Sequence, residues 1–247
     1  MGYVFEKSYD VRYNEVGANG RLLLSRLLNY FDDCAVNQSY QLGVGVDFLN
    51  NSNVTWFLYE WDIEIEGLPF FGENVRVITE PLDFYRFYAT RRFELRDKDD
   101  NLMAKAISLW IFLDFEKRLP KRIPVELAEK YGCYPDNKKL APWEVKTPSK
   151  EDFVFEFVAL PVNMDTNLHI NQATYVDWVL SSIPLEFLKD SLPVRFKSIY
   201  KKEVKPYEEI KVISELFEST QSIHRIFSPT INSDLCNIEI EWRKCQV

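Results

Sequence analysis

Asp165-Thr166-Asn167-Leu168-His169-Ile170-Asn171, running on into Gln172-Ala173-Thr174-Tyr175-Val176-Asp177-Trp178, is the stretch on which the reading of this chain turns. It sets a carboxylate, two amides and an imidazole at every second position, just ahead of a segment with the spacing of an amphipathic helix. Residues at i, i+2 and i+4 share a direction only where the backbone is extended or in an open loop, so Asp165, Asn167 and His169 can converge on one point. A helix starting near Asn171 aims free N–H groups and the positive end of its dipole at that point, which favours an anion or a polarised carbonyl there. Asp and Asn ahead of a helix are also ordinary caps and turn formers, and the pattern alone leaves that reading open.

Outward from this loop, the spacing predicts a strand over 153–157 before it and a helix over about 171–188 after it, with Pro184 placed to bend or break the helix. Strands are expected near 194–204, 208–217, 222–227 and 235–242. The first half has the same order: a strand within 3–13, a Gly- and Asn-rich loop over 14–20, a helix over 21–41 closed by Gly43, then strands. Phe57, Tyr59, Trp61, Ile63 and Ile65 alternate with Leu58, Glu60, Asp62 and Glu64, and further strands are expected over 74–79, 84–96 and 102–115, with a turn at 97–101. Five prolines between 119 and 150 leave only 125–131 helical. The chain is therefore an α+β tandem repeat. Glu15 aligns with Asp165 at an offset of 150, uncertain by a residue or two, which puts Gly17 and Asn19 opposite Asn167 and His169. On that alignment one copy is expected to bind and the other to react.

The 247 residues fit one large domain or two smaller ones. A formal charge of -8 argues against nucleic acid as the main partner. Cys34, Cys133, Cys236 and Cys245 have no metal-ligand spacing, no apolar run reaches membrane-span length, and residues 1–7 lack a signal-peptide core, so a reduced cytoplasmic setting is expected, with no metal and no cofactor. Cys34 falls on the apolar face of the first helix and reads as core.

With the repeat and the Asp-x-Asn-x-His-x-Asn loop in hand, the chain resembles the acyl-acyl-carrier-protein thioesterases, the double hot dog family of plant plastids and many bacteria. The first half carries the resemblance in Thr55-Trp-Phe-Leu58, Pro69-Phe-Phe-Gly-Glu-Asn-Val75, Arg91-Arg-Phe-Glu-Leu-Arg-Asp97, Ala106-Ile-Ser-Leu-Trp-Ile111 and Lys117-Arg-Leu-Pro-Lys-Arg-Ile-Pro124. The second half carries it in the Asp165–Trp178 stretch and in Tyr200-Lys-Lys-Glu-Val204. The resemblance implies a tandem hot dog, each repeat a long helix wrapped by an antiparallel sheet. The expected division is 1–124 as an N-terminal hot dog binding the acyl chain, 125–150 as a connector, and 151–247 as a C-terminal hot dog with the catalytic loop.

It further implies hydrolysis of fatty acyl thioesters of acyl carrier protein, with Asp165, Asn167, His169 and Glu203 as catalytic residues. The partner is acyl carrier protein with its phosphopantetheine-linked acyl chain, and the protein itself a monomer or homodimer. Two departures stand out. Val204 occupies the position where many plant members have a cysteine, so no cysteine mechanism operates there, and Thr79-Glu80-Pro81 lacks the usual Thr-Trp pair. Thioester hydrolysis needs an activated water or a nucleophile, a proton acceptor, and donors for the carbonyl oxygen as it gains charge. Carboxylate-assisted attack by water, with helix N-terminal amides holding the oxyanion, meets those needs. Asn171 reads most simply as the helix cap, and His224 as a surface strand residue. Lys197, Lys201, Lys202 and Lys205 flank Glu203 and are the expected docking patch for an acidic carrier protein, ahead of the cluster at Lys117, Arg118, Lys121 and Arg122. The competing readings are an acyl-coenzyme A thioesterase, a hot dog hydratase and a non-catalytic acyl-chain-binding regulator.

Overall fold

The computed structural model describes residues 2–134, 143–166, 169–217 and 220–245. The first half forms β1 (Phe5–Asp10), α1 (Leu24–Gln41), α2 (Val46–Asn51), β2 (Val54–Ile65), β3 (Asn74–Tyr85), β4 (Tyr88–Asp97) and β5 (Leu102–Asp114). After α3 (Val125–Lys130) in the proline-rich segment, the second half adds β6 (Phe153–Val158), α4 (Gln172–Ser181), α5 (Leu185–Asp190), β7 (Ser191–Tyr200), β8 (Glu209–Phe217), β9 (Gln221–Ser228) and β10 (Ser233–Lys244). All ten strands join one antiparallel sheet in the order β1-β3-β4-β5-β2-β7-β10-β9-β8-β6. The second half repeats the first in mirror order, and the two meet where Glu60–Glu64 of β2 pair with Ile199–Arg195 of β7. This is the expected tandem hot dog. Among the described residues no helix is long and apolar enough to cross a membrane.

Period-two burial drives β2: Trp61, Ile63 and Ile65 face inward and are buried, while Asp62 and Glu64 face out. A bulge between Leu58 and Glu60 takes Tyr59 out of that alternation, and Leu58 joins the core instead. Helix α1 buries Leu24, Leu27, Leu28, Phe31, Cys34 and Ala35 on one stripe. Phe31, Trp61 and Phe93 form an aromatic cluster with ring centroids 5.0–5.9 Å apart. In the second half Tyr175, Val176, Trp178 and Val179 of α4 play the same part. The halves are tied by Trp61 Nε1 donating to Gln172 Oε1 at 2.6 Å, by Arg195 on Asp62 at 2.9 and 3.1 Å, and by Arg26 on Asp177 at 3.2 Å.

Several expectations are corrected. The strand expected over 84–96 is interrupted by a hairpin turn at Tyr85–Tyr88, where Arg86 takes a φ of 55°, and α2 was not anticipated because one and a half turns carry too little periodicity to detect. Pro184 ends one helix and caps the next, as its ring requires. His224 is no surface residue. Strand β9 lies between β8 and β10, and its Ser222, His224 and Ile226 face the core, where Nδ1 lies 2.7 Å from Ser214 Oγ and Nε2 lies 2.8 Å from Ser222 Oγ. Burial pushes the His224 pKa down to about 3, so the ring is neutral. The repeat register falls at the edge of its expected range. Gly17 N–H donates to Arg21 O as Asp165 N–H donates to His169 O, both at 2.8 Å, an offset of 148 (165 − 17). Gly17 and Arg21, not Glu15 and Asn19, therefore stand opposite Asp165 and His169.

Glu60 lies beside Trp61 on the outward side of the sheet, fully buried, with the backbone of Trp143 against its carboxylate. Burial pushes its pKa from 4.5 up to about 7. The folded state thus holds a proton that the unfolded chain has released, and stability falls as pH rises from 4.5 to about 7. Glu60→Gln is expected to raise the melting temperature above that window, have little effect below it, and flatten the pH dependence between. Melting curves of the two proteins that stay parallel across the range would refute this.

Candidate active site

The 165–169 loop is pinched at its base. Asp165 N–H donates to His169 O at 2.8 Å, His169 N–H reaches Asp165 Oδ1 at 3.4 Å, and Met164 pairs with Ile170. The acid and the imidazole are thereby held at the two ends of one tight loop. Ile170 N–H then donates to Val204 O at 3.3 Å, and Val204 N–H donates to Tyr175 Oη at 3.2 Å. Those two bonds pin the segment after β7 against the loop and bring Glu203 Oε2 to 3.3 Å from His169 Nε2. Glu203 comes from that segment rather than from the strand itself, because β7 ends at Tyr200. Asn167 lies outside the described residues.

The other oxygen of Glu203 takes Nη2 of Arg118, which reaches in from the first half out of a turn where its φ is 53°. Arg118 Nε and Nη1 are buried and make no hydrogen bond among the described residues. Burial lowers the pKa of this guanidinium, and the nearby charge of Asp165 opposes that shift. In the sequence Arg118 is one cation in a charged cluster. Its partner lies 85 positions away, so no local signal marks it.

Helix α4 begins beside these groups. Asn171 is its cap, as expected: Oδ1 accepts from Ala173 N–H at 2.8 Å, while Asn171 O accepts from Thr174 N–H at 3.0 Å. The N–H of Gln172, between them, makes no hydrogen bond among the described residues. A cavity of about 230 Å³ opens here, with Asp165, His169, Gln172, Lys202 and Glu203 at one end. From there it runs into the first half along Asp32, Ala35, Val36 and Ser39 of α1, opposite Trp56, Phe84 and Trp110.

Asp32 was missed. Burial, and then the charge of Asp165, push its pKa up to about 7. The available hint was a pair of acids in the middle of an apolar helix, where Asp is a poor helix former. Asp33 accounts for the surface half of that pair through Lys7 and Tyr9, both at 2.7 Å. Of the four docking lysines, Lys202 lines the cavity mouth, Lys201 is paired with Asp234 at 3.1 Å, and Lys205 is exposed. Lys197 is drawn away along β7, level with Asp62 and Glu239.

The tandem hot dog thus brings Asp165, His169 and Glu203 together at the mouth of a cavity lined by both apolar and polar side chains. The chain belongs to the acyl-ACP (acyl carrier protein) thioesterase family: residues 2–131 match the acyl-ACP thioesterase N-terminal domain and residues 147–244 the C-terminal domain. Among curated relatives, an acyl-[acyl-carrier-protein] hydrolase of Cuphea viscosissima chloroplasts is 21% identical over 270 residues, covering 98% of this chain and 63% of its own. The chain thus spans less than two thirds of that relative's length. In fold, the chain is similar to a Lactobacillus plantarum protein described by assignment as an oleoyl thioesterase, with a TM-score of 0.92 at 22% identity over 100% of this chain and 98% of that one. It is also similar to an acyl-ACP thioesterase from Bacteroides thetaiotaomicron, with a TM-score of 0.83 at 23% identity over 97% and 98%.

The Asn171 cap starts α4 next to the cluster and is testable by itself. Asn171→Ala is expected to lower the unfolding free energy by about 1 kcal/mol, read as an earlier urea midpoint at unchanged slope. An unmoved midpoint would show that the cap contributes nothing.

Proposed function

We propose that this protein hydrolyses the thioester of a fatty acyl-acyl carrier protein, releasing the free fatty acid. The observation that supports it best is the meeting of Asp165, His169 and Glu203, beside the first residue of α4, at the mouth of a cavity that continues into the other half of the molecule. In this reading residues 1–124 hold the acyl chain, 125–150 connect, and 151–247 carry the chemistry. Asp165 takes a proton from water as the water oxygen attacks the carbonyl carbon. Gln172 N–H, at the positive end of α4, holds the oxyanion that forms. The tetrahedral adduct collapses with loss of the C–S bond, and His169, oriented by Glu203, relays the proton that Asp165 took from the water to the departing pantetheine sulfur, which returns Asp165 to its carboxylate. Asn167 belongs to the proposed set on the family resemblance alone, as an amide for water or carbonyl.

Arg118 has a positioning role: it neutralises Glu203, which otherwise would stand as a desolvated anion beside Asp165. The carrier protein is acidic by the same resemblance, and Lys202 at the cavity mouth, with Lys201 and Lys205, is the local positive surface on a chain of charge -8. The setting we propose is cytoplasmic.

The test is fatty acid release from acyl carrier protein esters and matched coenzyme A esters. Carrier-protein turnover is expected for the wild type, and Asp165→Asn is expected to lower kcat by at least about 100-fold. Cleavage of coenzyme A esters alone would replace the carrier in this reading, and no cleavage of either would end it. Arg118→Ala is expected to lower kcat and displace the pH profile, with partial rescue in Arg118→Lys. An unshifted profile would reduce Arg118 to a structural tie. Lys202→Glu is expected to raise KM for the carrier-protein ester and leave kcat in place. A KM that does not move would exclude Lys202 from docking.

A further inference from the structure

The deep end of the cavity is chemically unlike its walls. The positions of α1 that face the cavity are Asp32, Ala35, Val36 and Ser39. From Asp32, which feels the charge of Asp165, to Ser39 is about 10 Å along the helix axis. Ser39 Oγ is 2.8 Å from Tyr131 Oη, and Tyr131 also lines the cavity. The acyl path therefore runs from the reacting carbonyl toward Tyr131.

Arg91 of β4 sits at this end. It lines the cavity with only 8% of its surface exposed. Nη1 donates to Gln38 Oε1 at 2.5 Å and to Thr79 Oγ1 at 3.0 Å, and Cζ lies 5.6 Å from the centroid of the Tyr131 ring. These hydrogen-bonding partners are neutral, and the Asp32 carboxyl of the same cavity acts on Arg91 only at longer range, outside the ion pairs. Among the described residues no carboxylate lies within ion-pair distance of Arg91, whereas its neighbour Arg92 has Glu80 at 2.6 Å. Arg91 Nε and Nη2 make no hydrogen bond among the described residues, and the Thr90 hydroxyl beside it is buried without a partner. A guanidinium kept for structure alone is ordinarily buried with a counter-charge and filled donors. This one keeps two N–H-bearing nitrogens for whatever enters the cavity.

We propose that the deep end of the cavity is a binding site for an acceptor oxygen on the acyl chain, with Arg91 as the specificity-determining residue. The preferred substrate is then an acyl thioester carrying a hydroxyl, oxo or carboxyl oxygen on its distal carbons, not a plain hydrocarbon of equal length. A methyl terminus would strip water from the free donors and give nothing back, whereas an acceptor oxygen satisfies them. The inference rests on the thioesterase reading for the reacting end of the chain, but the oxygen site can be tested apart from it.

The experiment compares kcat/KM for carrier-protein esters of plain, ω-hydroxy and ω-carboxy acyl chains at octanoyl and dodecanoyl lengths, with wild type, Arg91→Met and Arg91→Lys. At one length or the other, an oxygenated chain is expected to exceed its plain counterpart by at least about tenfold in the wild type. The advantage should vanish in Arg91→Met and survive in part in Arg91→Lys. The hydroxy and carboxy arms show whether a neutral or an anionic oxygen is read. Plain chains cleaved as well as both oxygenated forms at both lengths would overturn the proposal while leaving the thioesterase reading intact. Should Arg91→Met fail to fold, displacement of a fluorescent fatty acid from the wild type by free ω-hydroxy, dicarboxylic and plain acids decides it. Tighter binding of the plain acids is again the overturning result. That measurement needs no turnover, so an enzyme inactive on every ester would end the thioesterase reading without touching this one.

Discussion

The pairing of β2 with β7 is the constraint on which the rest of the structure depends. A single five-stranded sheet around one helix leaves an inner edge of unpaired N–H and C=O groups, and such an edge calls for another strand. Here the second copy supplies it covalently. The seam carries more than backbone bonds, because the Arg195–Asp62 pair and the Trp61–Gln172 bond both cross it. Gln172 is also the first residue of α4, so the strand that closes the sheet holds the start of the helix whose N-terminus faces the cavity.

From that seam the candidate site follows as a set of satisfied and unsatisfied polar groups. Val204 is tied on both its N–H and its C=O, and those ties deliver Glu203 to His169. Glu203 then lies between an imidazole and a guanidinium from opposite halves. Such a partly buried carboxylate is costly unless its charge is matched, and Arg118 supplies the match. The loop bearing Arg118 thus ties the first half of the chain to the His169–Glu203 pair of the second.

The two halves diverge in what their equivalent loops present. At the corrected register Gly17 and Arg21 stand where the second half has Asp165 and His169, so the first loop has neither an acid nor an imidazole at those positions. Glu15 serves its own half, accepting from Tyr30 Oη at 2.6 Å and from Arg12 N–H at 2.8 Å. The first half instead turns polar groups of α1 and β4 into the cavity. The two halves thus line one shared cavity with different groups, Asp165, His169 and Glu203 from the second and the polar groups of α1 and β4 from the first.

Local pattern was enough to determine the tandem α+β repeat, most strand and helix positions, the proline break at 184 and the Asn171 cap. Each of these depends on periodicity, on backbone-restricting residues or on hydrogen bonds within a few positions, all of which are legible in a string of letters. The repeat also exposed the Asp165 loop as the unusual feature, and the resemblance added Glu203, which as a lone acid near a strand end carries no signal. What tertiary structure alone decided is everything that depends on distant partners or on burial. The 148-residue register needed the loop-base hydrogen bonds, and the bulge at Tyr59 needed the pairing with β5. His224 reads as polar until β8 and β10 are seen on either side of it. Arg118, Asp32, Glu60 and Arg91 look like ordinary surface charges in the sequence. Only the packed fold removes their water, and desolvation by residues far away in the chain is what gives each its altered chemistry.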